Sequence, residues 1–106
     1  MMADQPKAGI YLLIEFEWPE PFTNEHAKMA RRLHDAVQNQ TWIREAVAAS
    51  HGFGSGPSSI WVFWLENYAA LDQLTTGDNP VSAAYNGFFE AMPRAEQKIR
   101  QEVLFI

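Results

Sequence analysis

The chain has no cysteine among its 106 residues. That removes disulfide bridges, thiolate nucleophiles and cysteine-ligated zinc together, and is compatible with a reducing cytosol. Base is scarce as well: 8 lysines and arginines stand against 13 aspartates and glutamates, a net charge of -5. Phosphate binding needs a concentrated basic surface, and Arg31-Arg32 is too small a cluster to be one, so nucleic acid is excluded as the main partner. No apolar window approaches the ~20 residues of a membrane span. Residues 1–8 lack the apolar stretch of a secretory signal and read as a frayed tail, with a single domain over 9–106. The expectation is a soluble, cytoplasmic protein.

What the chain does have is a short, dense apolar run, Ile60-Trp61-Val62-Phe63-Trp64-Leu65. Its β-branched and aromatic content favours a strand, and both faces of that strand are apolar: Trp61, Phe63 and Leu65 on one, Ile60, Val62 and Trp64 on the other. Each face therefore needs cover.

Around this run the chain reads in order. Ile10 to Trp18 alternates Ile10, Leu12, Ile14, Phe16 and Trp18 against Tyr11, Leu13, Glu15 and Glu17, a strand that Pro19 and Pro21 end. Thr23 or Asn24 caps a helix carrying Ala27, Ala30, Leu33 and Val37 on its apolar stripe. Trp42 to His51 is read as a second strand, Ile43, Glu45, Val47, Ala49 and His51 alternating with Arg44, Ala46, Ala48 and Ser50, before the loop Gly52 to Ser58. After the central run, Asn67 caps a short helix closed by Gly77. Asn79-Pro80 opens a third helix with Val81, Ala84, Tyr85, Phe88 and Met92 as its stripe, stopped by Pro93. A polar turn over 94–97 leads into a last strand that runs to the terminus.

The order β-α-β-β-α-α-β predicts an α+β fold of the ferredoxin-like, split βαβ kind, a four-stranded antiparallel sheet with helices on one face. The first and third strands, the most apolar, belong at its centre, and Arg44, Glu45, Arg100 and Glu102 mark the second and fourth as edges. With helices on one side only, the other side predicts a homodimer packed sheet to sheet.

The element order and the stretch Ile60 to Leu65 followed by Glu66-Asn67-Tyr68 resemble the dimeric α+β barrel superfamily over Gly9 to Ile106, with antibiotic-biosynthesis monooxygenases, EthD-like proteins and the NIPSNAP group among the relatives. No catalytic motif accompanies the resemblance, and a fold with so many chemistries constrains function weakly.

Two side chains are candidates for moving protons. Glu15, within an apolar strand, gains an elevated pKa if desolvated, although pairing with Arg44 or Arg100 on an edge strand competes with that role. His51 ends a strand at a glycine-rich loop. Tyr11, Trp61, Trp64, Tyr85 and Phe88 could line a cavity between sheet and helices, with Ala46, Ala48 and Ala84 leaving room and Asn86 adding a polar group, although regular aromatic spacing more often makes core.

Other motifs fail on context. His26 and His34 lie two turns apart and cannot share a metal. Gly52-x-Gly54-x-Gly56 precedes a strand, not a helix, and so is no phosphate cradle. Ser50-His51 lacks a nucleophile elbow.

Three functions follow, and the first two require neither a metal nor a cofactor. The first is a cofactor-independent oxygenase or isomerase acting on a small hydrophobic or aromatic compound. The second is a non-catalytic module that binds such a compound. The third is haem binding, which the resemblance raises but which lacks the relatives' helical histidine, since none occurs between Tyr68 and Met92.

Overall fold

The computed structural model of the chain describes residues 7–105. The tail expected over 1–8 lies outside them for residues 1–6, as does Ile106. Lys7 and Ala8 are exposed, and the Lys7 carbonyl accepts a hydrogen bond from the Arg44 guanidinium at 3.0 Å.

Seven elements follow the expected order: β1 (Ile10–Phe16), α1 (Asn24–Val37), β2 (Ile43–Ser50), β3 (Ser59–Leu65), α2 (Tyr68–Thr75), α3 (Pro80–Ala91) and β4 (Glu96–Gln101). The strands form one antiparallel sheet ordered β2-β3-β1-β4, the ferredoxin-like arrangement with the two apolar strands at its centre. Burial alternates strictly along both central strands. One face of β1 and β3 buries Ile10, Leu12, Ile14, Phe16, Trp61, Phe63 and Leu65 under the helices. The opposite face is only half-buried.

Local chemistry sets the helix starts. Thr23 caps α1 by accepting from the His26 amide, while the His26 ring accepts from the Thr23 amide at 3.1 Å, a capping box with histidine in the place usually taken by glutamate. Asn67 and Asn79 accept from the amides three residues on, at 2.9 and 2.8 Å, and Pro80 opens α3, where a missing N–H costs nothing. α2 stops at Thr75, with Gly77 following the cap at a point where a Cβ would run into the Gln73 carbonyl.

The core between sheet and helices is aromatic. Phe88 meets Phe89, Trp61 and Phe16 edge-on, with ring centroids 4.8, 5.2 and 5.5 Å apart, and Phe63 meets Tyr85 at 5.8 Å. These are the offsets that the ring quadrupole favours.

Four details differ from the sequence reading. β1 ends at Phe16, so Trp18 lies past the strand, still packed on Phe16 and donating to the Ser50 hydroxyl at 3.1 Å. Ala27 is exposed; the inward side of α1 is made by Met29, Ala30, Leu33, Ala36 and Val37. β2 carries a bulge between Ile43 and Glu45: Ile43 pairs with Leu65 and Glu45 with Trp64, leaving Arg44 without a partner residue. Ile43 therefore shares the core side with Ala46 and not with Glu45 and Val47. β4 begins at Glu96, earlier than expected, and does not run to the terminus. Its ladder follows β1, which starts at Ile10; one further bond, Glu102 N to Gly9 O at 3.0 Å, exhausts the partners.

Candidate functional site

Three regions carry the chemistry worth weighing. The first is the sheet face away from the helices. Cross-strand pairing arranges it in rows. One reads Glu45, Trp64, Tyr11, Arg100 from β2 to β4; the next reads Val47, Val62, Leu13, Lys98; the third reads Ala49, Ile60, Glu15, Glu96. The two central columns are apolar except at Glu15. Trp64 and Tyr11 stack with planes 16° apart and centroids at 6.0 Å, and the Arg44 guanidinium lies 5.4 Å from the Trp64 centroid, within cation–π range.

Glu102 anchors the end of this face. Its Oε1 accepts from the Gly9 amide at 2.7 Å, the Trp64 indole at 3.1 Å and Arg44 at 3.4 Å. The bulge makes this possible, because the extra residue swings Arg44 across Trp64. Neither Arg44 nor Glu102 is distinguishable in the sequence from ordinary edge-strand charge.

Glu15 is on the open face, its carboxylate 3.0 Å from the Lys98 ammonium. The pairing partner expected on an edge strand is present, but it is Lys98 and not Arg44 or Arg100. Lys98 sits opposite Leu13, one row from Glu15, so the pair is diagonal.

The second region is the far end of the sheet. His51 leaves β2 with a left-handed φ of 67°, its amide donating to the Ser58 carbonyl at 2.7 Å and its Nδ1 lying 3.0 Å from the Ser50 hydroxyl. Ser50 in turn is 2.7 Å from the Ser59 hydroxyl. The Ser58 hydroxyl and amide both donate to Glu17, and these bonds hold its carboxyl below the ordinary glutamate range. The cluster closes the base of the glycine-rich loop. Glu15 and His51 thus have separate partners, Lys98 and Ser50.

The third region is a surface recess of about 240 Å³ beside α3, lined in part by Ile14, Tyr85, Asn86, Phe89 and Gln97. The Gln97 amide donates to the Tyr85 hydroxyl at 2.6 Å. Burial pushes the Tyr85 phenol well above its usual pKa, against the weaker opposing effect of that donor. Gln97 belongs to the segment read from sequence as a turn; only its place on a strand opposite Ile14 brings it to Tyr85.

The six residues expected to line one cavity divide between two sides of the sheet. Tyr11 and Trp64 are on the open face. Trp61, Tyr85 and Phe88 are buried in the core, where their rings occupy the space that Ala46, Ala48 and Ala84 were expected to leave free. Asn86 donates to the Thr75 and Ser82 carbonyls at 2.9 and 3.1 Å, tying α2 to α3. Of the six, the recess brings together Tyr85 and Asn86. His34 is paired with the neighbouring Asp35 at 3.2 Å on exposed helix surface. Among the described residues no three histidine, aspartate or glutamate side chains converge as metal ligands, and no helix is long and apolar enough to cross a membrane.

No family model matches the chain, and neither does any curated protein. Solved structures do. The chain is similar to a dimeric ferredoxin-like protein of unknown function from Thermobifida fusca YX, with a TM-score of 0.64, 16% identity and 92% of each chain covered. It is also similar to a conserved protein from Methanosarcina mazei Go1, with a TM-score of 0.68, 11% identity, and 91% of this chain and 94% of the other covered. At these identities the likeness is one of fold.

Proposed function

We propose that the chain works as a sheet-to-sheet homodimer that binds a small hydrophobic or aromatic compound, a member in kind of the dimeric α+β barrels. The observation that carries the reading is the open face. Leu13, Ile60, Val62 and Trp64 are half-buried there, with no helix among the described residues over them, and Val47 beside them is 52% exposed. Contiguous apolar surface of this sort is costly in water, at roughly 25 cal/mol per Å² left uncovered. The similar protein from Thermobifida fusca is dimeric, which favours a second copy as the cover.

The compound's seat is the recess at Tyr85 and Gln97. Its lining suits a small ring carrying one polar substituent, which the phenol and the carboxamide can meet. Binding is favoured over turnover by the state of the groups. A phenol kept neutral by burial is a poor base near pH 7, and Glu15, the expected proton carrier, is engaged with Lys98. The oxygenase or isomerase reading needs a base in the recess itself, and the exposed carboxylate of Glu90, which also lines it, is the group that would have to serve.

Light scattering tests the assembly. The parent chain is expected to be dimeric at micromolar concentration, and Val62→Lys, at the centre of the face, monomeric with its circular dichroism retained. A monomeric parent overturns the reading. For the ligand, 1-naphthol serves as the probe: it is expected to raise the melting temperature saturably in the parent and at least threefold less effectively in Tyr85→Phe, with the naphthol recovered unchanged. Conversion of the probe would move the conclusion to an enzyme.

A further inference from the structure

Glu90 is the one charged side chain among the described residues that line the recess beside α3. It stands four residues before Arg94, a spacing at which a glutamate and a following arginine pair along a helix. Here they do not. α3 ends at Ala91, Pro93 follows, and Arg94 has a left-handed φ of 59°, so the chain leaves the helical path before the arginine is reached. Arg94 instead lines a neighbouring recess with Pro57 and Glu96, and among the described residues Glu90 forms no ion pair. Lys98, the next base along β4, is on the open face and engaged with Glu15. The stretch from Glu66 to Pro93 holds the acidic residues Glu66, Asp72, Asp78 and Glu90 and no lysine or arginine.

The neutral groups of the lining share this bias toward acceptors. Asn86 spends its amide hydrogens on the Thr75 and Ser82 carbonyls; two backbone acceptors fix which way the carboxamide is turned, and no donor among the described residues meets its Oδ1. Gln97 donates to the Tyr85 hydroxyl, and its Oε1 is likewise without a donor among the described residues. The two carboxamide oxygens and the Glu90 carboxylate are therefore unspent. Against them stand two neutral donors, the Tyr85 hydroxyl and the second N–H of Gln97. The rings of Tyr85 and Phe89, with centroids 5.0 Å apart, form the buried wall behind. The face of such a ring attracts a cation.

We infer that the compound held in this recess is an arylalkylamine, its ring against Ile14 and Phe89 and its protonated amino group among Glu90, Asn86 and Gln97. The inference rests on the recess reading above and adds to it the charge and chemistry of the polar substituent. An alkylammonium has three N–H donors and no acceptor, the complement of a lining with three unspent acceptor groups. A carboxylate in the same place would lie against Glu90 with no base in the recess to offset it, and an alcohol would leave the charge of Glu90 unused. Glu90 is exposed, so its pairing with the ammonium has the modest strength of a surface ion pair, a few-fold in affinity, with the ring faces adding to it.

Three naphthalenes of similar shape test it by titration calorimetry at about pH 7 and low salt: 1-naphthylmethylamine, an alkylamine protonated there as lysine is, 1-naphthalenemethanol and 1-naphthoate. The amine is expected to bind the parent at least about fivefold more tightly than the alcohol, and the naphthoate more weakly than either. In Glu90→Gln the advantage of the amine is expected to shrink to within about twofold, while the alcohol keeps its parent affinity to within about twofold and so reports an intact recess. Glu90→Lys is expected to reverse the order, with the naphthoate ahead of the amine. Equal binding of amine and alcohol by the parent overturns the inference and leaves the ligand site standing. An amine preference that survives Glu90→Gln overturns it too, because it then comes from the net charge of -5 and not from the recess. If none of the three binds, the recess is no seat for such a ring, and the reading of the recess falls together with the inference.

Discussion

Glu102 offers one carboxylate oxygen to three donors drawn from the chain's beginning, its second strand and its third, with the side chain only 14% exposed. Glu102→Gln keeps an acceptor but loses the charge, and is expected to cost about 1 kcal/mol in urea unfolding; Glu102→Ala leaves the Gly9 amide and the Trp64 indole short of a partner and is expected to cost about 2 kcal/mol. An equal loss in both variants would mean that the oxygen matters no more than the side chain's bulk. Tyr85 sets a different dependence. Its folded-state pKa is raised, so the stability it confers is complete below the unfolded value of about 10 and declines as pH climbs beyond it, where only the unfolded chain ionises at this site. Tyr85→Phe is expected to flatten the alkaline fall in melting temperature between pH 9.5 and 11 on the scale of one ionisation. Of these two residues, the sequence marks Tyr85 as part of an apolar helical stripe but gives no sign of Gln97 beside it. Glu102 shows in the sequence only as edge-strand charge and gives no sign of its anchoring role, because its closest donor is 93 residues away.

Among the elements, the central strands and the capped helices are legible because their signals are local: strict alternation, Asn67 and Asn79 as caps, Pro80 at a first turn. The edge strands are less so. β4 is exposed at every position, so no hydrophobic period marks where it starts, and its end is set by where β1 begins. The bulge in β2 reverses the phase that simple alternation assigns to Ile43, since a two-residue period carries no record of an inserted residue. This yields a deletion test. Removing Arg44 restores regular pairing, with Ile43 and Ala46 still facing the core, and forfeits only the contacts of Arg44 with Trp64, Glu102 and Lys7; the melting temperature is expected to fall by about 4–8 °C. Removing Val47 instead turns the following residues over, separates Ser50 from Ser59 and Trp18, and is expected to lower it at least twice as far. Equal shifts would mean that the bulge has no role in setting the phase of β2.

At the scale of the molecule, a sheet with helices on one side follows from the element order, and a second apolar face left beyond them follows from the run Ile60 to Leu65. The expected cavity does not follow so readily, because whether Trp61 and Phe88 line a space or fill it depends on how closely α3 approaches the sheet. Dimerisation has its own signature: a protein whose subunits associate only when folded melts higher as it is concentrated. The parent is expected to gain several degrees between 1 and 100 μM, whereas Val62→Lys gains none. A parent curve as flat as the variant's would count against a functional dimer. The bond between Gly9 and Glu102 carries a further consequence for how this domain can be used. Gly9 and Glu102 are adjacent rungs where β1 begins and β4 ends, on neighbouring antiparallel strands about 5 Å apart. The stretch from Gly9 to Glu102 is therefore a closed loop with a narrow stem, suited to being spliced into a surface turn of a host protein without prising that turn open, and to being recut elsewhere with a short linker from Glu102 to Gly9.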